Sequence, residues 1–132
     1  MTVNTEWQKI KVRKLRPEKL IRLMDEEAPY ILDVRPLNFK RDNTFIKGAA
    51  FCPLVYLTDR YTELPKERKI ILTDWAMKQS PIAAKFLTQK GYAIAGVLKG
   101  GLERWKADGF PVEVRVSVKE ISPLNIPQAN EK

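Results

Sequence analysis

Apolar residues in this chain fall into short blocks whose spacing changes repeatedly. "YILDV" (Tyr30 to Val34), "GAAFCPL" (Gly48 to Leu54), "KIILT" (Lys69 to Thr73) and "YAIAGV" (Tyr92 to Val97) are brief apolar runs. Runs of that length suit strands covered on both faces, as in a parallel sheet. Pro53 ends the second run, because proline cannot donate to a sheet ladder. Upstream, Ile10, Val12 and Leu15 sit among basic residues and predict a short edge strand guarded by Lys and Arg.

Helical spacing fills the intervals. Arg16-Pro17 opens a helix on which Leu20, Leu23 and Met24 fall at i, i+3 and i+4, making one apolar face. Val55 to Tyr61 predicts a short helix. Ser80 suits an N-cap and Pro81 a first helical position. Ile82, Ala83, Phe86 and Leu87 then form a buried face, and Gly91 closes the helix in a left-handed conformation. "GGLERWKADGFPV" (Gly100 to Val112) predicts the last helix, with Leu102 and Trp105 inward and a stop at Gly109 and Pro111. Trp7 reads as core or edge packing, and Lys99 and Arg104 as solvated surface charges. Arg35 to Lys47 is polar and irregular. After Val112, "EVRVSVKEI" alternates as an edge strand and "SPLNIPQANEK" reads as a disordered tail.

Alternating strands and helices imply an α/β domain with a parallel sheet, because right-handed crossovers place helices on both faces. Ligands in such folds bind beyond the carboxyl ends of the strands. Asp74 stands at one of those ends. It opens "DWAMKQS", a loop leading into a helix start whose free N–H groups favour anions, yet its own first residue is an anion.

Composition narrows the chemistry. With 132 residues, 44% hydrophobic and 30% charged, the chain is sized for one globular domain. No run approaches the roughly 18–20 apolar residues of a membrane span, and "MTVNTEWQKI" lacks a signal core, so a cytoplasmic location without membrane association is expected. The chain has no histidine, which excludes Ser-His and Cys-His triads and histidine metal ligation. Cys52 is the only cysteine, so no internal disulfide forms and a zinc site lacks ligands. No metal or cofactor is implied. Lys and Arg number 24 against 16 Asp and Glu, a net charge of +8 spread along the chain with one denser run, "KIKVRKLRPEK". No aromatic residues alternate with that run, so a solvated basic face is expected rather than specific nucleic-acid binding.

"YILDVRPLNF", "FIKGAAFCPL", "KIILTDWAMKQSPIAAKFL" and "VLKGGLERWKADGFPV" resemble, in this order, the signature segments of a single-domain rhodanese. The resemblance covers roughly Leu15 to Val112. Its more specific parts are Asp33 to Arg35 and the Gly-Gly-x-x-x-Trp-x-x-x-Gly-x-Pro of Gly100 to Pro111. It implies a three-layer sandwich with a central, mostly parallel five-stranded sheet and helices on both faces. The domain would occupy 1–112, with signature segments at 30–112, and 113–132 would add the C-terminal strand and tail.

Active members of that family carry a cysteine at the end of the strand matching Lys69 to Thr73, opening a Cys-x-x-Gly-x-Arg-Ser loop. Its thiolate takes a sulfane sulfur and passes the persulfide on. By the resemblance, Asp74 stands in the cysteine position, Met77 in that of the glycine and Gln79 in that of the arginine, with Ser80 retained. Phe45 and Lys47 replace a histidine and a proline of another family segment. A carboxylate cannot carry a persulfide. Cys52, in apolar "AAFCPL", reads as a buried hydrophobe.

The resulting expectation is a rhodanese-like protein without sulfurtransferase activity and without catalytic residues. It would bind or regulate through the altered loop Asp74, Trp75, Ala76, Met77, Lys78, Gln79 and Ser80. The partner would be an unidentified protein or a small anionic ligand. Trp75, Met77 and Lys78 either face such a partner or fold back on neighbouring helices. Asp33 and Arg35 support the loop, Asp33 by bonding loop amides. The alternative is an enzyme of the family with atypical residues, doing thiosulfate-type sulfur transfer or phosphate-ester chemistry with Asp74 as nucleophile. Asp74 is also expected to be the anion for its own cradle, accepting hydrogen bonds from the loop amides between Trp75 and Ser80.

Overall fold

The computed structural model describes residues 9–36 and 43–115. Five parallel strands form the central sheet: β1 (Lys14–Leu15), β2 (Tyr30–Asp33), β4 (Ala50–Phe51), β5 (Ile70–Thr73) and β6 (Ile94–Leu98). Their spatial order is β1-β6-β5-β2-β4. Two further strands, β3 (Thr44–Ile46) and β7 (Val112–Val114), pair antiparallel as a separate ribbon. The helices are α1 (Pro17–Glu26), α2 (Leu54–Arg60), α3 (Ser80–Gln89) and α4 (Gly101–Ala107), with a 3-10 turn at Tyr61–Glu63.

Side-chain alternation along the strands explains the layers. Leu32, Ile70, Leu72 and Val97 point to a cluster completed by Leu57 of α2 and Ala83, Ala84 and Leu87 of α3. Their neighbours Ile31, Ile71 and Leu98 point the other way, to Leu20 and Leu23 of α1 and Leu102 and Trp105 of α4. Both faces of the sheet are therefore buried under helices, a three-layer α/β sandwich.

Several expectations are corrected. The edge strand at the amino end contains only Lys14 and Leu15, not Ile10 or Val12. The strand read over Gly48 to Leu54 shortens to Ala50–Phe51, and Pro53 caps α2 rather than merely ending a strand. The segment 35–47, read as irregular, contains β3, whose three residues are all buried. Its partner is β7, so the strand after Val112 joins this ribbon rather than the central sheet. On α3, Ile82 is exposed (45%) and Ala84 takes the buried place. Helix α3 includes Ser80, its cap is Gln79, and no cap side chain bonds its amides. Gly91 does follow α3 with φ +89°. Trp7, residues 116–121 of the alternating stretch and the tail "SPLNIPQANEK" lie outside the described residues.

Candidate functional site

The buried strand β5 delivers Asp74 to the carboxyl end of the sheet, where the chain turns through 75–79 into α3. Asp74 is completely buried. Its Oδ1 accepts from the Met77 N–H (2.6 Å) and from the Ser80 hydroxyl (3.3 Å). Its Oδ2 accepts from the N–H groups of Gln79 (2.5 Å) and Ser80 (3.2 Å). The carboxylate thus takes over the first amides of α3 that no capping side chain reaches, and the helix dipole favours its charge. The loop amides converge on the Asp74 side chain, and the cradle is filled by a residue of the same chain.

The loop is also held from outside. Leu102 N–H donates to the Asp74 carbonyl (2.8 Å) and Glu103 N–H to the Trp75 carbonyl (3.0 Å), so the first turn of α4 lies against the loop backbone. This approach requires glycine at 101: a Cβ there would sit 2.4 Å from the Trp75 oxygen, and φ is +65°. Met77 adopts φ +65°, a left-handed backbone that costs a side-chain-bearing residue about 1–2 kcal/mol. Its sulfur accepts from Gly100 N–H at 3.1 Å. Trp75 and Met77 are half-buried and pack onto opposite core clusters, Trp75 against the α1 and α4 side and Met77 against the α2 and α3 side. Of the side chains 75–79, Lys78 is the exposed one, with Ala76 and Gln79 half-buried. Lys106 reaches over the Trp75 ring at 5.6 Å.

Asp33 ends β2 in register with Thr73, one residue before Asp74, and is also fully buried. Its Oδ1 accepts from the Arg35 N–H (3.0 Å) and Nε (3.2 Å). Arg35 Nη2 lies 3.1 Å from Oδ2, an ion-pair contact whose angle does not make a hydrogen bond. Burial pushes the Asp33 carboxyl up to about 6; Arg35 opposes this by charge and hydrogen bonds, and the Asp74 carboxylate adds to it. Arg35 Nη2 also donates to the Thr44 carbonyl at 2.7 Å, which ties β2 to β3.

Phe45 of β3 is buried with two guanidinium groups near its ring, Arg35 at 4.3 Å and Arg115 at 4.5 Å. Arg115 is itself 5% exposed, bonded to Glu113 Oε2 and to the Ala49 carbonyl. The sequence gives no sign of this, because "EVRV" alternates like an ordinary edge strand. Cys52, the single thiol, lies on the opposite side of the sheet among Val34, Leu57 and Leu72, fully buried. Burial pushes its thiol up to about 12. Arg104 is exposed and paired with Asp108 at 2.9 Å, and Lys99 is exposed. Among the described residues no three Asp, Glu or Cys side chains group as a metal site, and no helix is long and apolar enough to cross a membrane.

Comparison with known proteins agrees with this architecture. A sulfurtransferase of Allochromatium vinosum is 29% identical over 92 residues, covering 69% of this chain and 84% of its own length. The crystal structure of a rhodanese-related protein from Thermoplasma volcanium superposes with a TM-score of 0.70 at 25% identity, covering 78% of this chain and 99% of that one. A protein of Anabaena sp. gives 0.64 at 31% identity, with 84% of each chain covered. The model of the Rhodanese-like domain matches residues 16–108. The chain belongs to the rhodanese-like domain family.

Proposed function

We propose that this rhodanese-like domain does not transfer sulfur and acts as a binding module whose contact surface is the loop Asp74 to Ser80. Asp74 occupies the position at which the family's active members carry their nucleophilic cysteine. The observation that carries this reading is the saturation of the Asp74 carboxylate by three loop amides and the Ser80 hydroxyl. Those donors are the ones that would otherwise meet a thiolate or a bound oxyanion. Both oxygens of Asp74 are occupied and buried, which also opposes its use as a nucleophile toward a phosphate ester. What the loop offers a partner is the Lys78 ammonium beside partly exposed Trp75, Ala76 and Met77, a pattern that suits an acidic side chain flanked by an apolar one.

The second reading, sulfur transfer, is favoured by the relative named sulfurtransferase. In this chain the acceptor sulfur would have to be Cys52, the sole thiol, whose burial holds it protonated. Thiocyanate release from thiosulfate and cyanide decides between the two. The expected result is no turnover above a blank. Turnover abolished by Cys52→Ser establishes the second reading, and turnover surviving that change overturns both accounts of the site. Asp74→Cys is expected to give at most weak activity, because neither Met77 nor Gln79 returns to the family's glycine and arginine.

A further inference from the structure

We propose that the opposite, amino end of the sheet holds a second binding site, which takes a small organic anion with an apolar body such as a medium-chain alkyl or aryl carboxylate. Strand β1 pairs with only the last part of β6, at Val97 and Leu98. Among the described residues no strand pairs with Ile94 to Gly96 on that side, and a groove of about 470 Å³ runs there between α1 and α3. That volume lies within the roughly 300–1,000 Å³ of small-molecule sites.

Its floor is apolar, formed by Leu15 and Leu23 from one layer, Ala84 from the other and Ile94 from the strand between them. Gly96 keeps the floor closed. A Cβ there would meet the Arg13 carbonyl at 2.6 Å and push away the segment that walls the groove. Val97 N–H donates to the Arg13 carbonyl.

The rim is cationic. Lys11, Arg13, Lys19 and Lys69 stand around the groove against the single acid Glu27, which is already paired with Lys69 at 3.3 Å. Lys14, Arg16 and Arg22, with Glu18 among them, continue a net positive surface beside it. An apolar floor with a net positive rim matches a ligand with one apolar segment and one anionic head. A neutral apolar molecule would leave the rim charges unmatched, and a bare inorganic anion would leave the floor wet. The site lies across the sheet from Asp74, so it stands or falls independently of the loop's role.

Titrating the whole chain with 8-anilinonaphthalene-1-sulfonate and with octanoate at low salt, read by amide NMR shifts, tests the proposal. Shifts are expected at Ala84, Thr88, Ile94, Ala95 and Gly96, with residues 75–80 unmoved. Octanol is expected to bind more weakly than octanoate. The double reversal Arg13→Glu with Lys19→Glu should weaken both anions about tenfold, and Ala93→Trp, at an exposed lining position, should block them. Shifts scattered over the surface or centred on the loop overturn the proposal. So does octanol binding as well as octanoate, or a titration unchanged by both the charge reversal and the filling substitution.

Discussion

Removing the Asp74 carboxylate would leave the N–H groups of Met77, Gln79 and Ser80 without their acceptor. An unpaired buried donor costs about 1–3 kcal/mol, and the half-buried part of this loop recovers some of that through water. Asp74→Ala is expected to lose about 2–4 kcal/mol in urea denaturation, Asp74→Asn less, since an amide oxygen still accepts. Sulfate or phosphate should restore part of the alanine variant's loss by refilling the cradle. Asp33 behaves differently. Its folded value of about 6 stands above the ordinary 3.8 of an aspartate, so the fold holds this proton more tightly than the unfolded chain does. The stability it contributes is fully present below about 4 and is lost as pH rises through 6. Comparing wild type with Asp33→Asn by denaturation between pH 4 and 7 isolates the effect. The wild type should lose stability relative to the variant over that window.

At the scale of elements, β2, β5 and β6 and helices α1, α3 and α4 were legible in the sequence because each repeats its apolar spacing over enough residues. Strand β3 was not. It is three residues long inside a polar stretch, and its burial depends on β7 and on Arg35 and Arg115 flanking Phe45, contacts that no local period encodes. The same limit applies to the site. Asp74 at a strand end and a helix start near Ser80 could be read directly. The docking of the first turn of α4 on the loop is tertiary, and only the Gly100-Gly101 pair hinted at it. Gly101 and Gly109 both have positive φ, +65° and +80°, but only Gly101 faces backbone atoms, while nothing lies within 4 Å of a Cβ at Gly109. Gly109→Ala should therefore cost about 1 kcal/mol from the backbone alone. Gly101→Ala should cost at least twice as much by thermal denaturation, because α4 must move off the loop.

Across the whole molecule the net charge of +8 is carried on many faces, with the densest run between Lys9 and Lys19. Counterion release will give such a surface some affinity for any polyanion, falling steeply between roughly 50 and 200 mM salt. Binding to an arbitrary DNA duplex is expected at the lower salt and should vanish at the higher. A defined RNA or DNA that remained bound there would overturn this expectation.

The double hold on loop 74–80, by the Asp74 side chain from within and by the α4 amides from outside, fixes the kinetics open to a partner. A segment tied at both its donors and its carbonyls is held in one arrangement, so a partner meeting this loop would find it already in its final shape. Association at this loop should run as a single bimolecular step. In stopped-flow mixing the observed rate should then climb linearly with partner concentration, and variants of Lys78 should act on the dissociation rate more than on association. A rate that levels off would mean that the loop has to open first.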